Sequence, residues 1–309
     1  MADDDKPINP IALLGDLVQT PLSKGGRPKK ITKRVELFAV IDTWSPKSDR
    51  HSLEHPIFSI AKTPDLTIRH YSSPDDKVHL TVFPSVKGSA TIWDKDILLY
   101  VSGLVRARLN AGEKFDWNEP FEINCHNLLS ATSRNTGGRG YELLEEALDR
   151  LSGTRLKTDI ETGGKRIREA FGIIDSWGVV ERNKKLHRFE IKLSEWFFNS
   201  IVSEQKEVLS INKKYFELVG GVERRIYEIC RKHCGQQGKW EIGISKLRDK
   251  CGGLSELKSF RRALRAIVLT NEIPDYLLTL NDDKLCCYSR NFKGVIESLL
   301  PEPPHERRG

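Results

Sequence analysis

The 309-residue sequence has no long apolar run; its unbroken stretches are short, Ala266–Leu269 for example. A membrane span needs about 20 apolar residues, so an integral helical membrane protein is excluded. Six cysteines scattered over this length do not make a disulfide framework. The opening MADDDK is acidic and lacks the apolar stretch of a secretory signal. A cytoplasmic chain with reduced thiols is expected. There is no Gly-x-x-x-x-Gly-Lys-Ser/Thr loop to cradle nucleotide phosphates, and no His-x-His pair of the kind metal-dependent nicking enzymes use. Neither a catalytic residue nor a cofactor is expected.

What is present is basic charge, unevenly placed. Fifty Lys and Arg face 43 Asp and Glu, a net charge of +7. Residues 205–295 alone carry 18 basic and 11 acidic groups, an excess equal to that of the whole chain. A local positive field attracts and steers polyanions. The alternative is a solvated basic surface that aids solubility.

Residues 1–34 are polar and broken by Pro7, Pro10, Pro21, Gly25, Gly26 and Pro28, and read as a disordered basic tail. Val78, Leu80 and Val82 alternate as in a strand. A helix is predicted at 93–109, a short strand at 121–123, and helices at 124–132 and 141–151. Strands at 154–160 and 166–174 around the turn ETGG (161–164) follow, then a strand at 187–193 and a helix at 194–201. The second half repeats the order: a helix at 222–233, a strand at 240–242, helices at 245–250 and 256–269, and a hairpin across NDDK (281–284). Phe121–Ile123 answers Trp240–Ile242, Leu128 answers Leu247, and Leu144 answers Leu264. Helix, strand, helix, turn, helix, hairpin is the winged helix, whose second helix of the helix-turn-helix fits a major groove and whose hairpin reaches phosphates. The expected class is α+β: tandem winged-helix domains at 35–204 and 205–295, with a flexible tail at 296–309.

The two recognition helices differ. At about 100° per residue, Leu257, Phe260, Leu264, Ile267 and Val268 share one arc, and Lys258, Arg261, Arg262 and Arg265 share the next with no acid among them. Such a row suits phosphates and guanine edges. Lys246, Arg248, Lys250, Ser255, Ser259 and Lys284 flank it and complete the candidate DNA surface of the second unit. In the first unit Tyr141, Leu144, Ala147, Leu148 and Leu151 form the inner arc, and Glu142, Glu145, Glu146 and Asp149 the outer one. Four acids repel a phosphate backbone, so this helix is expected to face a protein partner. Only its N-terminal end, with Arg134, Asn135, Thr136 and Arg139, and a first wing bearing Lys157, Lys165, Arg166 and Arg168, are expected to touch the DNA backbone.

The stretches HSLEHPIFSIAK (51–62), GSATIWDKDILLYV (88–101), ATSRNTGGRGYELLEEALDRLSGTRLKT (131–158), ERRIYEICRKHCG (223–235) and SFRRALR (259–265) resemble the plasmid replication initiator protein A family, in order over roughly residues 35–290. That family is similar to the two-winged-helix initiators of iteron-controlled plasmids. The resemblance implies binding of direct repeats in double-stranded plasmid origin DNA, strand opening beside them, self-association between monomer and dimer, and recruitment of host proteins such as the host initiator and the replicative helicase. It further implies that the C-terminal unit reads the repeat and the N-terminal one shares in dimerisation and backbone contact. A transcriptional repressor would use the same surface; a nicking enzyme or a protein scaffold are the other classes.

Smaller motifs carry weaker expectations. His51 and His55 lack a third metal ligand, and Cys230, His233, Cys234 and Cys251 approach a zinc set but lie among core residues, so no metal is expected. Gly26-Arg27-Pro28-Lys29-Lys30 is similar to the minor-groove AT-hook, which makes Arg27, Lys29 and Lys30 candidate DNA contacts, or else a solvated linker. Arg34-Val35-Glu36-Leu37-Phe38 is similar to peptides that dock on the bacterial sliding clamp, with Leu37 and Phe38 as the apolar anchors, or else begins the first domain.

Overall fold

Apolar residues three and four apart make the long helices of this chain, and alternating ones make its strands. The computed structural model describes residues 35–37, 44–73, 76–166, 169–182, 185–203, 208–235, 237–253 and 255–291. Both tails, including Arg27, Lys29 and Lys30, lie outside the described residues, as do Phe38 and Arg168. The elements are β1 (Val35–Leu37), β2 (Lys47–Asp49), α1 (Arg50–Glu54), β3 (Arg69–Ser72), β4 (His79–Phe83), α2 (Lys95–Asn110), β5 (Phe121–Asn124), α3 (Cys125–Ala131) and α4 (Gly138–Gly153). They continue with β6 (Arg155–Thr158), β7 (Phe171–Gly172), β8 (Ile174–Arg182), β9 (Lys185–Leu193), α5 (Glu195–Val202), β10 (Val208–Ser210), α6 (Gly221–His233), β11 (Lys239–Gly243), α7 (Ile244–Lys250), α8 (Leu257–Thr270), β12 (Tyr276–Asn281) and β13 (Lys284–Ser289).

Two winged helices emerge. In the second, α6, α7 and α8 carry the sheet β11-β13-β12. In the first, α2, α3 and α4 carry β5-β9-β8, extended by β1, which pairs in parallel with β5. A third sheet, β3-β4-β6-β7, is an insertion of the first unit. Antiparallel β2 and β10 tie the start of the described chain to the linker between the units. Residues around His51 form the short helix α1, because Asp49 caps it: the Ser52 amide donates to Asp49 Oδ1 at 2.8 Å.

One expectation is corrected. The hairpin around ETGG is not the first wing. Gly163 and Gly164, at φ 56° and 74°, close a tight turn bridged by Thr162 and Lys165, but the return strand β7 is two residues long and pairs with β6 in the inserted sheet. The wing is the later hairpin β8–β9, where Trp177 pairs with Ile191 and Val179 with Phe189. The insertion also breaks the repeat offset: α7 begins 119 residues after α3, yet β12 begins only 102 after β8.

The apolar core is continuous through both units, from Trp44 to Cys287. Charges are buried within it, where α2 and α6 meet. Lys95 Nζ lies 2.7 Å from Glu228 Oε1, with both side chains nearly inaccessible. Arg224 pairs with Asp96 at 2.7 Å, and Arg225 with Glu228 at 2.9 Å. Tyr215 donates its hydroxyl to the same Glu228 oxygen at 2.9 Å. Arg225 also donates to the carbonyls of Leu53 (2.9 Å), Glu54 (2.8 Å) and Lys250 (3.0 Å), the unpartnered ends of α1 and α7. Glu54 gathers Lys232 at 2.6 Å, His233 at 2.9 Å and Lys250. Burial opposes ionisation of its carboxyl, yet the hydrogen bonds from His233, Lys232 and Lys250 hold it far below the usual carboxylate range.

Removing one partner of a buried pair leaves the other charge uncompensated, which costs about 3–5 kcal/mol. Lys95→Ala or Arg224→Ala is expected to lower the urea midpoint accordingly, whereas Lys258→Ala on the surface leaves it within about 0.5 kcal/mol. Acid weakens the same joint. Burial, opposed by the neighbouring Glu54 carboxylate and aided by the nearby Arg225 and Lys250 charges, pushes His55 down to about 4 from an ordinary 6.5. The folded chain therefore keeps His55 neutral while the unfolded chain protonates it. Stability rises with pH between about 4 and 6.5 and is lost as pH falls through that window, by up to about 3 kcal/mol. Urea titrations at pH 7.5, 5.5 and 4.5 check this; His55→Gln removes that part of the slope.

Candidate nucleic-acid interface

The recognition helix of the second unit, α8, buries Phe260, Leu264 and Ile267 and half-buries Leu257 and Val268. The turn before it needs left-handed backbone at Gly252 and Gly253, φ 105° and 64°, to reverse α7 into α8. Its far end is set by Asn271, at φ 51°, whose amide donates to the Ile267 carbonyl at 2.9 Å. The Asn271 side chain then acts as a strand neighbour: Nδ2 donates to the Leu278 carbonyl at 2.8 Å and Oδ1 accepts the Leu278 amide at 2.9 Å. The helix and its wing are thus one rigid piece.

Lys258, Arg262 and Arg265 are exposed, and no acid pairs with them among the described residues; the same holds for Lys246. Ser255 and Ser259 are exposed beside them. Arg261 is drawn to Asp283 at the wing tip, 2.7 Å away. Arg248 pairs with Asp249 at 3.0 Å, and Lys284 lies 3.8 Å from Glu241. Lys250 is turned inward onto Glu54. Sequence reasoning missed one feature: Ser259, Ala263, Ala266 and Thr270, spaced four, three and four apart, are all exposed and form a small-residue side of α8 next to the cations. The signal was the spacing itself.

In the first unit, Gly140 is required because a Cβ there would sit 1.7 Å from the Asn135 carbonyl oxygen. Asn135 Oδ1 accepts the Gly137 amide at 2.7 Å and shapes the turn. Arg134 points inward, donating to the Trp93 carbonyl and pairing with Asp96 at 3.2 Å. Thr136 and Arg139 are exposed, with Arg139 2.9 Å from Glu142. On α4, Glu142 and Glu145 face solvent, Asp149 pairs with Lys87, and Arg150 grips Asp94 through two contacts of 2.8 Å. Lys165 pairs with Glu195 at 2.8 Å, Arg166 lies 3.5 Å from Asp159, and Lys157 stands on the outer face of the inserted sheet. The structure brings the second unit's cations together and scatters those assigned to the first wing. His233 stacks on Trp240, ring centroids 4.8 Å apart, and no cluster among the described residues is arranged to hold a metal ion.

Tandem winged helices fused through a charged joint define a class of nucleic-acid-binding scaffold, and the comparisons specify it. Solved structures of domains 2 and 3 of RctB align over 78% of this chain and 98% of theirs at TM-score 0.58 with 11% identity, and over 75% and 95% at TM-score 0.52 with 12% identity. The Replication initiator protein A family model matches residues 47–278. A protein of Wigglesworthia glossinidia brevipalpis with a provisional replication-protein name is 35% identical over 271 residues, 85% of this chain and 96% of its own. The chain belongs to the Replication initiator protein A family. No helix among the described residues is long and apolar enough to cross a membrane.

If Asn271 couples α8 to the wing, Asn271→Gly keeps the left-handed backbone but strands two polar groups of Leu278. A loss of about 1–3 kcal/mol in unfolding free energy is expected. Amide exchange at Leu278 should rise in the same variant.

Proposed function

We propose that this chain initiates plasmid replication by binding repeated duplex sites at an origin through the second winged helix. The observation that carries this is the free cationic arc Lys258, Arg262 and Arg265 beside the small-residue side of α8. Arg262 and Arg265 are placed to bond guanine edges, and Lys258 and Lys246 to neutralise phosphates. Ser259, Ala263, Ala266 and Thr270 let the helix backbone approach the groove floor, where an alanine methyl can meet a thymine methyl. Arg261 exchanges Asp283 for a phosphate on binding. The first unit, through Thr136, Arg139 and the β8–β9 wing, follows the flanking backbone.

In this reading the protein acts by binding, without a catalytic step: it strains the duplex beside the repeats, self-associates through the first unit, and represses its own promoter when repeats lie there. The acidic face of α4 is left for host replication proteins. Clamp docking by Leu37 and Phe38 would require β1 to leave β5.

Arg262→Ala or Arg265→Ala is expected to weaken binding to the repeats flanking the gene by about 1–3 kcal/mol, more than binding to random duplex. Equal loss on both would make these residues phosphate contacts only. Lys258→Ala should reduce the slope of log affinity against log salt by about 0.9. Charge reversal at Glu142 and Glu145 should raise non-specific affinity while repeat recognition persists; loss of recognition in a folded variant would refute the assignment of the two units. A replicon lacking its own initiator, supplied with this gene and its adjacent repeats, separates initiation from repression: maintenance supports the proposal.

A further inference from the structure

The inserted sheet β3-β4-β6-β7 has a face that neither the core nor the α8 surface uses. Its inner rows are Tyr71–Leu80–Thr158 and Val82–Leu156–Phe171, packed inward. Its outer rows, by register, are Ser72–His79, His70–Thr81–Lys157 and Phe83–Arg155. His70, His79, Arg155 and Lys157 are exposed; Thr81 and Phe83 are half-buried. Phe83 is not among the apolar side chains packed against the core. It is an aromatic ring on a sheet surface, cross-strand from an arginine.

Cations surround it. Lys157 has no acidic partner among the described residues. Arg155 donates to the Ala170 carbonyl, a contact that leaves its charge unneutralised. At one end the face dips into a cavity of about 410 Å³ lined by His79, Thr81, Lys157, Thr158, Asp159 and Arg166. The one carboxylate there is engaged: Asp159 accepts the His79 amide at 2.8 Å and faces its Nδ1 at 2.9 Å, with Arg166 3.5 Å away. The His79 ring hydrogen-bonds to the carboxylates of Asp159 and Asp76, which raises its pKa.

We propose that this face binds single-stranded nucleic acid, with a base stacked on Phe83 and phosphates held by Arg155, Lys157 and Arg166. An aromatic ring on a sheet flanked by cations is the general solution for unpaired strands, because every base has a π-face and every nucleotide a charge. Three strands about 4.8 Å apart, with their side chains, present a broad flat surface rather than an element that enters a major groove about 12 Å wide. A protein partner is disfavoured, since lysine is depleted in interface cores. This surface is separate from α8, so it stands or falls independently of the repeat-reading assignment.

The test uses the full-length chain, fluorescein-labelled dT20 and a random 20-base-pair duplex, followed by anisotropy at two salt concentrations. The intact chain is expected to bind dT20. Phe83→Ala should weaken that binding about tenfold and Phe83→Trp should restore it. The double change Arg155→Ala, Lys157→Ala should lower the salt slope on dT20 by about 1.4. Duplex affinity should stay within about twofold throughout. No binding of dT20, unchanged binding by the variants, or a parallel fall on the duplex each overturns the proposal. Equal binding of polyglutamate, insensitive to Phe83→Ala, would also overturn it in favour of an acidic peptide. If Phe83→Ala lowers the melting temperature enough to unfold the chain, the exposed Arg155/Lys157 double variant decides.

Discussion

The position of the cationic face of α8 depends on the charges buried between α2 and α6. Apolar contacts alone tolerate small sliding, because burial is non-directional. Lys95, Asp96, Arg224, Arg225 and Glu228 do not, since each group withdrawn from water must keep its partner within hydrogen-bond distance. Arg225 extends this constraint outward by holding the carbonyl ends of α1 and α7. The turn that launches α8 starts directly after α7. The guanidinium at the joint, bonded to the last carbonyl of α7, is therefore separated from the helix that bears the cationic arc only by residues 251–256.

The twin units show how one motif can be given opposite electrostatic faces. Both recognition helices bury an apolar stripe at the same positions of the motif. On α8 the adjoining arc is basic and largely unpaired; on α4 it is acidic, and part of it is used at home, where Asp149 meets Lys87 and Glu142 meets Arg139. An acidic helix opposes the close approach of a phosphate backbone along its length, and the basic arc of α8 favours it, so the two units carry opposite electrostatic faces on the same motif.

Much of this was legible in the sequence. The helices at 95–110, 221–233 and 257–270 follow from apolar periodicity, and the second hairpin from the NDDK turn between alternating strands. The first wing was not, because a constant repeat offset cannot reveal an insertion, and ETGGK carries as strong a turn signal as any wing. Charge placement identified the α8 arc but could not tell a free cation from an engaged one: Lys250 and Arg134 look basic in the sequence and are held inside by Glu54 and Asp96. The buried Lys95 and Asp96 read simply as the polar start of a helix. Their partners stand 133 and 128 residues downstream, and nothing local announces them.

That separation has a consequence for how the protein is made. The ribosome adds about 5–20 residues per second. Lys95 therefore leaves it roughly 7–27 s before Glu228 exists. Over the last 35 residues of that interval, after β9 ends at Leu193, the first winged helix has its sheet and helices available but carries an ammonium without Glu228, and beside it an aspartate lacking Arg224, on what will become its buried side. Withdrawing those charges from water before α6 exists would leave them without these partners, so docking of the second unit, rather than completion of the first, is the step that lets this face bury.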